Sequence, residues 1–593
     1  MCGIVGYVGR RNAAPLLLQN LQRLEYRGYD SCGFATVDER LHIKKDVGTI
    51  EEVHENLNLL ELPGKIGIAH TRWATHGNVS RRNAHPHMDC AGELAVVHNG
   101  IVSNYEELKK KLMDSGHVFS SDTDTECIAH LIEESYNGNL EDAVIKALEK
   151  VKGTYALMVV STHEPEKLIC ARNESPLIIG LGNDEIFVGS DVASFLEHTR
   201  KAVTLDDGEY AVVTNRGYGI KKISNGEKVN KKILHIDWSF ETAEKEGNPH
   251  FMLKEILEQP RVITSALSLY PEHVSGLAEM IMKAKHVYIT AAGTSLHASM
   301  VAEYWFSRLC SKRVQAVDSS EFSDKGVVDG DTLVLGITQS GETYDTLAAM
   351  RRAKLGGAKI AAIVNVIGST ATRLADHVVL QGSGMEVSVC ATKTYTSQLT
   401  ILLRTALELA KIQGRDVEAI EKEFHRCPDL VEKCLELKED IKKAAHDFFN
   451  VPNYIFIGRG INYPSALEAA LKLKEITYYH AEGMSGGMLK HGTISLIDKE
   501  TNTVAMIPKS GDNRRKILSN IQEVKARGGI VIGIASGKGL SQCDVSLVAP
   551  SCQEVVSPIV LAPIYQLLAY YTAVKLGRNV DRPRALAKSV TVE

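Results

Sequence analysis

Short apolar runs separated by polar turns fill the first 238 positions of the chain. They include GIVGYV, IGIAH, LAVVHNG, TYALMVV and IFVGS, each with the length and composition typical of a β-strand. Two segments, at 13–24 and 125–134, are instead predicted to be helices. Because the strands are grouped rather than alternating singly with helices, they predict a mixed α/β sheet domain.

A polar stretch at 237–249 ends this pattern, and beyond it the chain repeats itself. Four apolar runs recur at an offset of about 170 residues, which is far too long for a solenoid repeat. The matched runs are VYITAAGTS with YIFIGRGIN, TLVLGITQSGET with NTVAMIPKSGDN, KIAAIVN with IVIGIAS, and HVVLQG with VSLVAP. Continuous apolar runs alternating with helical segments predict, in each copy, a doubly wound parallel sheet covered on both faces.

These patterns predict a multidomain protein of the α/β and α+β classes, with two copies of one α/β domain after the first. The predicted boundaries are a first domain at 2–238, a linker at 239–274, α/β copies at 275–415 and 446–580, a helical connector at 416–445 between them, and a tail at 581–593.

Composition mainly excludes classes of function. The 593 residues carry a net charge of −5 without a block of Lys and Arg, which argues against binding to nucleic acid or to an anionic membrane. Eleven cysteines without a C-x-x-C pair indicate a reducing compartment rather than a disulfide framework. The first residues lack a signal-peptide pattern, and we expect a cytoplasmic protein with no membrane partner.

Cys2 is the first candidate for chemistry. A small residue at position 2 allows Met1 to be removed, which makes Cys2 the terminal residue. Its α-amine, with a pKa of about 7.7–8.0, could then take the thiol proton and activate the thiol to attack a carboxamide. Taken alone, Met-Cys is also compatible with a small buried residue at a chain start.

Polar clusters elsewhere in the first domain match the needs of acyl transfer from glutamine. An oxyanion requires N–H donors, which the Asn99 side chain and the Gly100 backbone could supply. The planar guanidinium of Arg72 suits the α-carboxylate of an amino acid, and Asp124 suits its α-ammonium group.

Five histidines in the same clusters raise the alternative of a metal site: His70, His76, His85, His87 and His98. Their spacings match no familiar zinc pattern, so we expect no metal and no other cofactor. Most of them are interpreted as structural hydrogen-bonding residues, and His76 and His85 are the best placed to contact a substrate.

The segments CGIVGY, LEYRGYDS, HTRWATHG, HNG and TDTE together resemble the class II, or N-terminal nucleophile, glutamine amidotransferases, in the branch that makes glucosamine 6-phosphate. The resemblance implies an α/β-β-α sandwich for this domain. It implies Cys2 as nucleophile, its amine as base, and Asn99 with Gly100 as the oxyanion hole. It also implies that glutamine is bound by Arg72, Thr75, His76 and Asp124, and that Trp73 gates the passage of ammonia.

Two segments of the first repeat, AGTS at 292–295 and TQSGET at 338–343, stand between an apolar run and a helical segment. Hydroxyls and free N–H groups at a helix start can bind phosphate, although a simple helix cap has the same residues. The second repeat has SGDN at the place of SGET, which predicts a single phosphate site per chain.

The segment LEAALKLKE places Glu468, Lys472 and Glu475 on one face of a helix, where they could move a proton between two carbons of a sugar. The alternative is an ion pair on the protein surface. His491 in LKHG could open a sugar ring, and Lys588 in the tail could form a Schiff base with a ketose.

These later segments resemble the sugar isomerase (SIS) domains of the same enzymes. The resemblance implies Glu475 as the carrier of the proton between C1 and C2, assisted by Lys472, with Lys588 forming a Schiff base to fructose 6-phosphate. It implies that His491 acts in a neighbouring subunit, so at least a homodimer is expected. The implied sugar-phosphate contacts are Thr294, Ser295, Thr338, Gln339, Ser340, Thr343, Val389 and Ala587.

The chain departs from the usual family pattern at several positions, including Ala391 in place of a serine and Met488 in place of a glutamate. Three alternatives stay open at this point. The chain could aminate another keto-sugar phosphate or nucleotide sugar, act as a non-catalytic sugar-phosphate sensor, or be a glutamine-dependent synthetase. The last is disfavoured because no ATP-binding loop pattern occurs.

Overall fold

The computed structural model describes residues 2–25, 28–73, 77–236 and 245–590. These residues form two compact units. Unit 1 contains residues 2–236 of the described chain together with 589–590, and unit 2 contains residues 245–588.

Unit 1 is built on two antiparallel sheets. The eight-stranded sheet has the order β15-β11-β9-β10-β1-β4-β2-β3, and the seven-stranded sheet has the order β14-β13-β12-β8-β7-β6-β5. The strands are β1 (Gly3–Val8), β2 (Ser31–Val37), β3 (Leu41–Val47), β4 (Ile66–Arg72), β5 (His87–Met88), β6 (Leu94–Val102), β7 (Gly153–Ser161), β8 (Leu168–Asn173), β9 (Ile178–Leu181), β10 (Ile186–Gly189), β11 (Lys201–Thr204), β12 (Glu209–Thr214), β13 (Gly217–Lys222), β14 (Lys228–Val229) and β15 (Leu234–His235). The helices are α1 (Ala13–Gln22), α2 (Ile50–Leu57), α3 (Tyr105–Asp114), α4 (Glu126–Ser135) and α5 (Leu140–Lys150).

Three apolar layers hold these elements together. Alternate residues of β1 and β4 face either α1 and α2 on one side or the second sheet on the other. The outer face of the second sheet is covered by α3, α4 and α5. Each sheet therefore buries both faces, which explains the continuous apolar runs in the sequence. The α/β-β-α sandwich is confirmed.

The two predicted helices are present as α1 and α4, but α2, α3 and α5 were not predicted. The start of α2 did carry a local signal. Thr49 accepts the backbone N–H of Glu52, and the Glu52 side chain accepts the N–H of Thr49, which makes a capping box.

Unit 2 contains two five-stranded parallel sheets, with the orders β17-β16-β18-β19-β20 and β22-β21-β23-β24-β25. The strands are β16 (His286–Ala291), β17 (Gln315–Asp318), β18 (Thr332–Thr338), β19 (Lys359–Val364), β20 (His377–Leu380), β21 (Asn453–Gly458), β22 (His480–Ser485), β23 (Thr501–Ile507), β24 (Ile530–Ser536) and β25 (Val545–Ala549). The helices are α6 (Phe251–Leu257), α7 (Gln259–Leu267), α8 (Pro271–Lys283), α9 (Gly293–Cys310), α10 (Phe322–Lys325), α11 (Tyr344–Leu355), α12 (Thr370–Leu374), α13 (Lys393–Ile412), α14 (Glu418–His425), α15 (Cys427–Leu435), α16 (Lys438–Phe448), α17 (Asn462–Thr477), α18 (Gly511–Lys525) and α19 (Ser557–Lys575).

The repeat predicted from sequence is confirmed strand by strand. The four matched runs form β16, β18, β19 and β20 in the first sheet and β21, β23, β24 and β25 in the second, at the same positions in the strand order. Helices cover both faces of each sheet, and one large core joins the inner helices of the two repeats. Both domains are therefore doubly wound, as predicted.

The ranges assigned to connections also contain helices. The range 239–274 includes α6 and α7 and the start of α8, and 416–445 includes α14, α15 and most of α16. The segment Glu554–Lys575 is long and apolar enough to cross a membrane, but 89% of its most apolar window is buried inside the protein. Its composition is accounted for by its place in the core of unit 2.

Two candidate active sites

In unit 1, strand pairing brings Cys2 to the end of β4. Gly3 of β1 lies opposite Thr71 of β4, so the preceding residue, Cys2, lies beside the residues that follow Thr71. The backbone N–H of Trp73 donates to Cys2 Sγ at 3.3 Å. Burial raises the pKa of the Cys2 thiol, while this N–H and the Arg72 guanidinium act in the opposite direction. The buried thiol therefore needs a nearby base to become a nucleophile.

The second sheet contributes Asn99 and Gly100 through β6. Asn99 Nδ2 donates to the backbone carbonyl of Cys2 at 3.0 Å, so its amide lies next to the thiol-bearing residue. Gly100 has φ +143°, and a Cβ atom there would lie 2.0 Å from the Thr154 carbonyl oxygen. Only glycine fits this close approach of β6 and β7.

The two predicted ion-pairing residues for glutamine are both buried. Arg72 ends β4 and donates to the backbone carbonyls of Gly77 and Asn78 at 3.2 and 3.4 Å. Asp124 lies just before α4, and its Oδ2 accepts the N–H of Val102 at 2.8 Å. Thr75 and His76 lie outside the described residues.

The described histidines of this region form one buried cluster. His70 stacks on His85 with ring centroids 4.0 Å apart, and His85 and His98 both contact Thr125 Oγ1, at 3.0 and 2.9 Å. Burial lowers the pKa of His70 to about 3, and lowers the pKa values of His85 and His98 as well. The lowered pKa values favour the neutral form of these rings, and contact of His85 with a substrate stays a prediction.

The ring of Trp73 is half-buried and meets Tyr29 edge to face, with centroids 5.3 Å apart. Its backbone and its side chain thus make separate contacts. The N–H holds the Cys2 thiol, whereas the indole packs on a neighbouring aromatic ring.

In unit 2, the predicted helix face exists on α17, but it is buried. Lys472 and Glu468 are completely inaccessible, and 19% of the Glu475 side chain is exposed. Lys472 Nζ lies 2.6 Å from Glu475 Oε2 and 3.5 Å from Glu468 Oε1. The alternative of a surface ion pair is therefore wrong.

The first repeat completes this cluster through α9. Thr294 Oγ1 accepts from Lys472 Nζ at 3.0 Å and contacts Glu468 Oε1 at 3.1 Å, and His297 Nδ1 lies 2.7 Å from Glu468 Oε2. Burial lowers the pKa of Lys472, but Glu475 and Glu468 outweigh it, and the net direction is upward. Replacing a whole buried ion pair by apolar side chains is often neutral or stabilising, so the set is better explained by function than by stability.

Hydroxyl groups line the start of α9 and the turn between β18 and α11. The side chains of Ser295, Thr338 and Ser340 are buried, while Gln339 and Thr343 are half-buried. Thr338 Oγ1 and Thr343 Oγ1 lie 2.8 Å apart, and Ser340 Oγ accepts the N–H of Glu342 at 3.1 Å. The predicted phosphate residues are thus brought together at the carboxyl end of the first sheet, where open α/β sheets bind ligands.

The tail residue Lys588 lies in a buried acidic pocket of unit 2. Its Nζ pairs with Glu386 and donates to the Ser388 carbonyl at 2.8 Å. Glu255 lies nearby and accepts the N–H groups of Val387 and Ser388. Burial, followed by repulsion from Glu386, raises the pKa of Glu255 to about 8.

Glu255, Glu386 and His297 were not predicted from sequence. Glu255 lies in the range assigned to the linker. The sequence feature that could have identified it is an acidic residue on the buried face of a short helix. Glu386 stands three residues before Val389, and only folding shows that its partner is Lys588.

The remaining predicted residues lie at varied places. Val389 is buried and donates its N–H to the Asp581 carbonyl at 3.1 Å, while Ala587 is half-buried in the tail. His491 is exposed, and among the described residues no hydrogen bond or ion pair joins it to Lys472 or Glu475. Met488 is 56% exposed, so its departure from the family pattern changes the surface.

Comparisons with known proteins agree with this organisation. The glutamine amidotransferase domain family matches residues 70–197, and the SIS domain family matches twice, at 280–407 and 447–576. A C-terminal domain of glucosamine-fructose-6-phosphate aminotransferase from Francisella tularensis superimposes with a TM-score of 0.54 and 35% identity, covering 57% of this chain and 100% of that one.

The whole chain is also similar to curated proteins. It is 50% identical to glutamine–fructose-6-phosphate aminotransferase [isomerizing] of Methanococcus maripaludis and 49% identical to that of Pyrococcus horikoshii, in each case over 100% of both chains. With an amidotransferase unit followed by two SIS domains, the chain belongs to the glutamine–fructose-6-phosphate aminotransferase (isomerizing) family.

Proposed function

We propose that the chain transfers the amide nitrogen of L-glutamine to D-fructose 6-phosphate and converts the ketose to an aldose, giving D-glucosamine 6-phosphate and L-glutamate. The observation that carries this proposal is the buried Lys472–Glu475 pair beside the hydroxyl-lined turn of unit 2, in a chain that also has Cys2 at the end of β4. A sensor of sugar phosphates would need neither the buried pair nor the thiol.

In unit 1, Cys2 Sγ attacks the carboxamide carbon of glutamine, and the thiol proton passes to the α-amine that removal of Met1 exposes. Breaking the C–N bond releases ammonia and leaves a thioester, which water hydrolyses to glutamate. The Asn99 amide and the Gly100 N–H stabilise the oxyanion. Arg72 binds the α-carboxylate and Asp124 the α-ammonium group, with Thr75 and His76 completing the glutamine site.

In unit 2, the hydroxyls of Ser295, Thr338 and Ser340, with Thr343 and Gln339, bind the phosphate. The positive end of the α11 dipole adds to their attraction. Thr294, Val389 and Ala587 contact the sugar, and Lys588 forms a Schiff base with the C2 carbonyl. The amine of Lys588 must first lose the proton that it shares with Glu386, and that buried carboxylate is the group placed to receive it.

Ammonia then displaces the Lys588 amine and leaves an imine at C2. Glu475 removes a proton from C1 and returns it to C2, and the ammonium group of Lys472 stabilises the negative charge that develops between the two steps. The nitrogen on C2 gains the proton that the C1 hydroxyl loses, so the aminated aldose forms without hydrolysis and is released. His491, exposed on its own subunit, opens the sugar ring in a second copy of the chain, so the active form is a homodimer or a larger homo-oligomer.

We place the reaction in the cytoplasm. All eleven cysteines are free thiols, as expected of a protein in a reducing compartment.

The test is to incubate the purified protein with glutamine and fructose 6-phosphate, without any nucleotide, and to identify the product by mass and chromatography. We expect glucosamine 6-phosphate and glutamate in a one-to-one ratio. Glutamate without amino sugar, or faster amination of another keto-sugar phosphate, would contradict the proposal.

A further inference from the structure

A second cluster of ionisable side chains lies in unit 1, made of Cys90, His117, His130 and Glu133. Its potential ligand atoms all lie within 4.8 Å of one another. Cys90 follows β5, His117 follows α3, and His130 and Glu133 lie one turn apart on α4. Three separate segments of the chain are therefore folded around one point.

The distances within the cluster match the edges of a metal-centred tetrahedron. Cys90 Sγ lies 3.6 Å from His117 Nδ1 and 3.5 Å from His130 Nδ1. A zinc ion with Zn–S of about 2.3 Å and Zn–N of about 2.0–2.1 Å at tetrahedral angles requires an S–N distance of about 3.6 Å. Glu133 Oε2 lies 3.0 and 3.1 Å from the same two nitrogens, slightly closer than a bound ion would set them.

Hydrogen bonding alone explains this arrangement less well. Each Nδ1 atom carries at most one proton, yet each faces both Cys90 Sγ and Glu133 Oε2. One proton cannot point along both directions. A cation at the centre contacts all four ligand atoms at once, and thiolate, imidazole and carboxylate are each groups that bind zinc.

The surroundings of His130 support the same interpretation. The far side of its ring, at Nε2, lies 3.8 Å from Glu126 Oε1, and Glu126 is fixed by the backbone N–H groups of Ser120 and Ser121 at 2.7 Å. Carboxylates commonly lie behind zinc-binding histidines, and at 3.8 Å Glu126 acts on this ring by its charge rather than through a hydrogen bond.

We propose that Cys90, His117, His130 and Glu133 bind one zinc ion in a structural site. The ion joins the segment after β5 to α4, the helix that begins directly after Asp124 and Thr125. It therefore holds the base of the proposed glutamine site without contacting the substrate. The expectation of no metal site rested on five other histidines, and the spacing of these four ligands matches no familiar pattern.

Zinc content and affinity test this proposal in the full-length protein without a histidine tag. After loading with zinc and dialysis, mass spectrometry of the metal should find about one zinc per chain in the wild type. Cys90→Ser and His130→Gln should bind zinc at least about tenfold more weakly. Cys543→Ser and His163→Gln are matched controls, and both should keep the zinc. Cobalt in place of zinc should give a thiolate-to-metal absorption band that Cys90→Ser lacks.

A chelator should also lower the melting temperature of the wild type and of the controls, but not that of Cys90→Ser. If His130→Gln does not fold, Cys90→Ser decides, because its side chain is exposed and its replacement leaves the core intact. Wild-type protein that retains no more zinc than Cys90→Ser, or that melts identically with zinc and with chelator, would show a metal-free hydrogen-bond network and overturn the proposal. None of these measurements depends on the proposed aminotransferase activity.

Discussion

The proposed site of unit 1 is assembled from strands and holds mostly neutral groups, whereas that of unit 2 is assembled around a helix and holds buried charges. Cys2 and Asn99 meet because two sheets stack and their strand ends coincide. Lys472 and Glu475 meet because they are one turn apart on α17, where Lys472 Nζ lies 2.6 Å from Glu475 Oε2. The residues of each of these two pairs lie within one unit, so we expect the two half-reactions to be separable by mutation.

The largest expected effect is that of Cys2→Ala. Removal of the nucleophile should lower glutamine hydrolysis by at least about 10³-fold, because the remaining groups can only stabilise an attack by water. Isomerisation of fructose 6-phosphate by unit 2 should persist. Glutamate release and sugar isomerisation, measured separately, check both statements. Cys543→Ala is the control, and normal glutamate release by Cys2→Ala would refute the role of Cys2.

Glu475→Gln should give the reverse pattern. The substituted side chain at position 475 keeps the shape and one hydrogen bond to Lys472 but cannot carry a proton. Amino sugar formation should therefore fall by roughly 10²–10⁴-fold. Glutamine hydrolysis should continue. Glu468→Gln is the matched control on the same face of α17, since Glu468 also contacts Lys472. If Glu475→Gln is active and Glu468→Gln is not, the proton carrier is Glu468.

A comparison within unit 2 sharpens the assignment of the phosphate site. Ser340 and Ser510 occupy matching places in the two repeats, but Ser340 is buried among other hydroxyls while Ser510 is exposed. Pro508 and Lys509 stand in the second repeat where Thr338 and Gln339 stand in the first. Ser340→Ala should raise KM for fructose 6-phosphate by about 10-fold or more, the usual value of a hydrogen bond to a charged group.

Ser510→Ala should leave the same KM unchanged. Equal effects in the two variants would mean that both serines only cap helices. Melting temperatures of the two variants, measured alongside, separate a loss of binding from a loss of stability.

The strand core of the fold could be predicted from sequence because buried strands leave uninterrupted apolar runs. The β18 and β23 runs, for example, show the repeat directly. Helices such as α2 and α5 were missed because they are short and lie between strands. Each has one polar face, so its sequence resembles a polar turn. Burial on one face alone gives a weak signal over two or three turns.

The two sites differ in how many of their residues could be predicted from the sequence. Cys2, Arg72 and Asn99 stand in dense polar segments within apolar strands, so they could be found without a structure. Glu255 could not, because its importance comes from Glu386 and Lys588, which lie 131 and 333 positions further along. Long-range pairing of buried charges leaves no local pattern.

A smaller effect is expected from Trp73→Ala. The backbone N–H that contacts Cys2 Sγ is kept in this variant, so glutamine hydrolysis should stay within about threefold of the wild type. The lost indole should lower the ratio of amino sugar to glutamate if it shields ammonia, which is mostly protonated and unreactive once it escapes into water. Measuring both products in one reaction decides it. An unchanged one-to-one ratio would mean that the ring only packs on Tyr29.

The last prediction concerns stability and pH, where the two units should respond in opposite directions. Burial holds the pKa of His70 at about 3, so between pH 6.5 and 3 the unfolded chain binds a proton that folded unit 1 does not. Unit 1 therefore loses stability as the pH falls through this range. Glu255 has the opposite sign, because its pKa of about 8 means that folded unit 2 keeps, above pH 4.5, a proton that the unfolded chain releases.

The contribution of Glu255 to stability is therefore favourable at low pH and is lost as the pH rises toward 8. Glu255→Gln mimics the protonated form and keeps an oxygen that can accept the N–H groups of Val387 and Ser388. Relative to the wild type, it should change the melting temperature of unit 2 little at pH 5 and raise it by a few degrees at pH 8. Calorimetry at the two pH values measures the difference. An equal shift at both would mean that Glu255 is ionised throughout, with Lys588 shared between two carboxylates.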